Sequence, residues 1–156
     1  MHWRRKHYIL WDRNCKSLWE VSYMRTVCLR LRRGDDLLLS LEELARREDL
    51  RAAVILSGVG CVTQARVRDA SGATVRHIAE PCEIVSLNGT VSAARCHVHI
   101  ALSREDMTTL GGHLMAGTYI NTTCELVLLE QDGVVYGVEQ DAATGYDEIV
   151  FQEAER

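Results

Sequence analysis

From Thr26 to Arg33 apolar and polar positions alternate, with Val27, Leu29 and Leu31 on one face and Cys28, Arg30 and Arg32 on the other. A period of two is that of a half-buried β-strand. Gly34 interrupts it, and Asp35 or Asp36 can then cap a helix, because a carboxylate accepts the unpaired N–H groups of a first turn. Up to about Glu48 the period lengthens. Leu37, Leu38, Leu41, Leu44 and Ala45 make a core stripe, and Glu42, Glu43, Arg46 and Arg47 make a solvated face. The continuous apolar run from Ala52 to Leu56 predicts a buried strand. Ser57-Gly58-Val59-Gly60 reads as a tight turn; no Gly-Lys-Ser or Gly-Lys-Thr follows that would make it a phosphate loop.

Alternation returns from Cys61 to Arg68, and Asp69-Ala70-Ser71-Gly72 has turn chemistry. Ala73 to Ala79 is expected to pair back as a hairpin. Cys82 to Leu87 predicts another strand, Asn88-Gly89 a two-residue hairpin turn, and Val91 to Leu102 its partner. Beyond a polar turn and Gly111-Gly112 lies the apolar run Cys124 to Leu129. Gln131-Asp132-Gly133 turns the chain into Val134 to Val138, and Glu148 to Gln152 forms a last short strand. About eight strands and one clear helix, joined by successive hairpins, predict an α+β fold: a mostly antiparallel sheet with one main helix packed on it.

This pattern puts three histidines in one region. His97 and His99 are two apart on a strand, so their imidazoles share a face. His113 follows two glycines on what reads as a loop leading back to the sheet. Three neutral imidazoles with one open position suit zinc, and nickel or iron are also compatible. Cys96 has the opposite parity and is expected to face away. Glu83 or Glu125 would be the nearby base if the site hydrolysed a substrate. The simpler reading of Glu125 is a charge on the sheet's wet face, and that of the histidines is hydrogen bonding in a core or interface. No Ser-His-Asp or Cys-His arrangement stands out, so the balance leans toward a binding protein rather than an enzyme.

Composition adds a boundary. Residues 1–24 hold all three tryptophans, and up to Lys16 there are five basic residues against one acid. That segment is therefore net +4, which leaves −8 for the remainder of a chain of net charge −4. The division predicts a basic aromatic arm over 1–24, poorly ordered or an over-long start, and a folded domain over 25–156. Arg4, Arg5 and Lys6 are the only dense basic cluster, and they are the expected contacts for weak, salt-dependent DNA binding. The six cysteines form no CxxC pair and lie mostly in apolar runs, as buried reduced thiols of an intracellular, cytoplasmic protein do. No run reaches the length of a membrane span.

Several stretches occur in a recognisable order: Leu31-Arg32-Arg33-Gly34-Asp35-Asp36-Leu37, Leu56-Ser57-Gly58-Val59-Gly60, Glu83-Ile84-Val85-Ser86-Leu87-Asn88-Gly89, His97-Val98-His99-Ile100-Ala101-Leu102-Ser103, Gly111-Gly112-His113-Leu114 and Thr122-Thr123-Cys124-Glu125-Leu126-Val127-Leu128. Together they resemble the PPC domain, conserved in plants and prokaryotes, over roughly 25–152. The resemblance implies a compact α+β domain that assembles as a homotrimer, and a DNA-binding or regulatory role. The HxH strand and the GGH segment are similar to those of prokaryotic, stand-alone members. The six-residue motif of plant members is replaced by Glu80-Pro81-Cys82-Glu83-Ile84-Val85, and no AT-hook is present in the sequence. Nuclear partners therefore do not carry over.

Overall fold

A computed structural model describes residues 24–154. In chain order the elements are β1 (Met24–Arg32), α1 (Leu37–Arg47), β2 (Ala53–Arg68), β3 (Val75–Ile78), β4 (Cys82–Val91), β5 (Cys96–Ser103), β6 (Thr109–Leu114), β7 (Tyr119–Gln131), β8 (Val134–Gln140) and β9 (Asp147–Glu153). All strand pairs are antiparallel. The α+β expectation therefore holds, with nine strands among the described residues. The first 23 residues, including Arg4, Arg5 and Lys6, lie outside them.

The helix forms where the period of its leucines predicts it. Asp36 is its N-cap: Oδ1 accepts from the N–H groups of Leu38 and Leu39, both at 3.1 Å. The same carboxylate accepts from Gly117 N–H through Oδ2 at 2.6 Å, which ties the helix start to the segment before β7. Leu37, Leu41, Leu44 and Ala45 are buried and belong to one core cluster with sheet residues including Val62, Ile100 and Leu128. Asp36→Ala removes three accepted hydrogen bonds at once. It should lower stability by about 2 kcal/mol, read as a shift in the urea midpoint.

The sheet departs from a simple open layer. Its main path is β1-β7-β2-β4-β5-β6, and β6 also pairs with β2 through Val67–Leu114 and Arg68–His113. Strands β2, β4, β5 and β6 thus close into a ring whose inside is filled by Val62, Ala65, Val67, Val98, Ile100, Leu102 and Leu114. Strands β8 and β9 form a separate hairpin.

Three glycine-containing segments expected to turn are strands. Ser57–Gly60 lies inside the 16-residue β2, whose register against β7 shifts between Ile55 and Ser57 and again beyond Gly60. Such bulges bend a strand, and β2 must bend to reach β7, β4, β3 and β6. Asn88-Gly89 lies within β4, and the turn to β5 falls at Ser92–Arg95, where Ser92 N–H donates to Arg95 C=O at 2.8 Å. Gly89 is there for proximity: a Cβ on it would strike His97 O and lie 2.8 Å from Val98 Cα. Gly111 and Gly112 lie on β6, not on a loop.

Candidate metal centre

Parity places His97 and His99 together on β5, because Val98 and Ile100 take the inward positions. Across the ladder Thr90 stands opposite His97 and Asn88 opposite His99. On the other side His113 of β6 pairs directly with His99, and Arg68 of β2 pairs with His113. The third histidine thus arrives by strand register, not by a loop folding over. The two glycines make that register accessible. A Cβ on Gly111 would strike Ile100 O of β5, and one on Gly112 would lie 2.5 Å from Arg68 O of β2. Without side chains at both positions β6 fits between its two neighbours.

The imidazoles converge on the outer face of the ring. Ring centroids are 5.1 Å apart for His97–His99 and His97–His113, and 5.5 Å for His99–His113. One nitrogen from each lies within 4.8 Å of the others. Tetrahedral zinc with bonds of ~2.0–2.1 Å spaces its nitrogens by ~3.4 Å, a contraction within reach of imidazole rotation. His113 Nδ1 is buried without a hydrogen-bond partner. Buried polar atoms are normally satisfied, so this orphan marks a place for a ligand. Three nitrogen donors, mutual proximity and one orphan fit a divalent transition metal.

The electrostatics favour the metal-binding protonation state. Burial and the Arg68 charge hold the His113 imidazolium down to about 4. Burial and the Arg95 charge also lower His97. Both rings therefore present bare nitrogens at neutral pH. One consequence concerns stability without metal. Between the usual 6.5 and about 4, an unfolded chain takes a proton at His113 that the folded chain refuses. The stability this group leaves intact above pH 6.5 is then lost progressively as pH falls toward 4. The loss should be about 1 kcal/mol for a ring half open to solvent, and His113→Gln should flatten that part of a pH series of urea midpoints.

Cys96 packs against the core, as its parity requires, near Glu42 and Arg46 of α1. Glu125 is exposed on β7 opposite Arg30, and Glu83 lies opposite Ser103 of β5, four residues from His99. Neither is among the leading charges on His97 or His113. The acid that is among them, on His97, is Glu148 of β9. Sequence reasoning also missed Arg68 and Arg95. Nothing local flags them; only the β2–β6 register and the Ser92–Arg95 turn bring them to the site.

A family model described as the Plants and Prokaryotes Conserved (PCC) domain matches residues 19–132. The bifunctional protein GlmU of Synechococcus sp. (strain JA-2-3B'a(2-13)) is 38% identical over 124 residues, 80% of this chain. The chain spans only 20% of that protein's length. Among solved structures, a hypothetical protein from Salmonella enterica superposes with a TM-score of 0.81 at 32% identity, over 86% of this chain and 97% of that one. A metal-containing protein from Archaeoglobus fulgidus gives 0.67 at 30% identity, over 84% and 94%. A Bacteroides thetaiotaomicron protein whose name proposes DNA binding gives 0.70 over 93% and 97%; at 16% identity it speaks to the fold alone.

Proposed function

From the premise that this chain belongs to the Plants and Prokaryotes Conserved domain family, we propose that it is a metal-centred binding module in which His97, His99 and His113 hold one divalent transition metal, zinc first. The observation that carries this reading is the convergence of one nitrogen from each of three imidazoles, beside which His113 has a buried Nδ1 without a hydrogen-bond partner. The metal-containing A. fulgidus relative supports it. Three protein ligands leave one coordination position for a small ligand. Bound metal would supply Lewis acidity there, and this chain's own part is to hold three bare nitrogens on a rigid ladder. Purified protein should retain zinc in proportion to chain through gel filtration; protein that emerges metal-free from a zinc-supplemented preparation removes the proposal.

We propose a homotrimer as the working assembly, on the family resemblance and on the exposed apolar side chains of Leu56, Val59 and Val85. Light scattering reads it directly, and a monomer mass removes it. A cytoplasmic setting accords with the five free cysteines of the described residues. No helix among those residues is long and apolar enough to cross a membrane.

DNA association is a second reading, supported by the family resemblance and by the basic cluster near the start of the sequence. It predicts salt-sensitive retardation of duplex DNA in a gel, lost when Arg4, Arg5 and Lys6 are all changed to alanine. Full retardation by that triple variant would place the contacts on the acidic body and defeat the charge argument.

A further inference from the structure

We propose that Arg68 and Arg95 form, beside the three histidines, a binding site for a small oxyanion: a carboxylate or phosphate group that takes the metal's open position. The inference rests on the metal reading and names the chemical class of its ligand.

Both arginines belong to the histidine face. Arg68 is the cross-strand partner of His113, and Arg95 immediately precedes β5 with the parity of His97 and His99. The charges of both reach His97 and His113. Neither has an ion-pair partner among the described residues, whereas Arg76 holds Asp69 and Arg104 holds Glu80, both at 2.9 Å. Arg95 Nη1 is buried with no hydrogen-bond partner, so the site holds a second orphan besides His113 Nδ1. One is a donor that wants an acceptor; the other belongs to a proposed metal ligand. A single oxyanion bound to metal and guanidinium answers the donor while the metal answers the nitrogen.

The aromatic ring of Tyr146 lies over the Arg68 guanidinium at 5.6 Å and steadies it. Tyr146 precedes β9, beyond the stretch that the family model matches. The charged and titratable groups acting on His97 are Arg95, His99, Glu148 and Arg68. One carboxylate thus stands against two guanidiniums around the histidines, a balance that draws an anion to the site. A guanidinium offers a planar fork that fits carboxylate and phosphate oxygens two at a time, which a point charge does not.

The test uses the full chain loaded with zinc, its metal content measured, and titrated calorimetrically with inorganic phosphate and separately with acetate. At least one should bind. Arg68→Gln and Arg95→Gln should each weaken binding about 10-fold or more, with zinc content unchanged. Arg68→Lys and Arg95→Lys keep the charge, guard against misfolding of the glutamine variants, and should recover part of the affinity. Binding of phosphate alone assigns a tetrahedral ligand, and of acetate alone a carboxylate. Zinc-loaded protein that ignores both anions, or arginine variants that bind as wild type does, overturns the proposal and leaves the metal reading intact. Protein that takes no zinc yet binds an anion through these arginines overturns the metal reading and, with it, the placing of the anion on the metal.

Discussion

Replacing His97, His99 or His113 with alanine strips most of the zinc from the purified protein and leaves it folded. On the proposed reading each histidine is one of three ligands on one ladder, so two survivors cannot hold the ion at comparable affinity. Loss of a mere hydrogen-bond partner of a metal ligand costs ~10–100-fold in affinity, and loss of a ligand should exceed that. The fold should survive because all three side chains lie outside the packed ring, whose inside is Val98, Ile100, Leu102 and Leu114. His113→Ala further removes a buried nitrogen that has no partner. Metal-free His113→Ala should therefore match or exceed the stability of metal-free wild type at pH 5. Wild type should regain its lead only when zinc is added, because a ligand that binds only the native state stabilises it. Elemental analysis and thermal melts with and without zinc check both halves. A variant that keeps stoichiometric zinc would show that its histidine is not a ligand.

Gly111→Ala should damage the fold and the histidine cluster together. The added Cβ falls on the backbone oxygen of Ile100 and lies 3.0 Å from Ala101 Cα, and neither is the end of a flexible side chain. Strand β6 has little room to retreat, since β2 is close on its other side: a Cβ on Gly112 would lie 2.5 Å from Arg68 O. The cost should be about 2–4 kcal/mol, at the high end of overpacking, read by urea denaturation. A smaller part of the damage should appear as lost zinc, because any shift of β6 separates His113 from His99. Unchanged stability would mean that β6 is looser than its pairing indicates.

These two experiments touch what was and was not legible in the sequence. The side-by-side placement of His97 and His99 was legible, because the period of a strand fixes which residues share a face. The helix was legible from its leucine stripe and its capping aspartate. The glycines were legible only in part. Where glycine supplies positive φ, at Gly34, Gly72 and Gly133, the expected breaks and turns are present. Gly58, Gly89, Gly111 and Gly112 were expected to turn the chain, yet they sit in strands without positive φ. There the missing side chain serves a close neighbour, and the identity of that neighbour depends on pairing between distant segments. The same holds for Arg68 and His113, 45 residues apart in sequence and adjacent on the ladder. The closure of β2 onto β6 was not legible for that reason.

The pairing of β1 with β7 sets Met24 directly opposite Gln131. Antiparallel partners have their Cα atoms ~4.5–5.5 Å apart, so the stretch from 24 to 131 leaves the sheet almost where it entered. A segment with ends that close is portable: spliced into a surface turn of a host protein, it would spread the host's own chain by little more than one ladder spacing. Grafted in this way, it would carry His97, His99, His113, Arg68 and Arg95 with it as a unit, and leave Tyr146 and Glu148 behind.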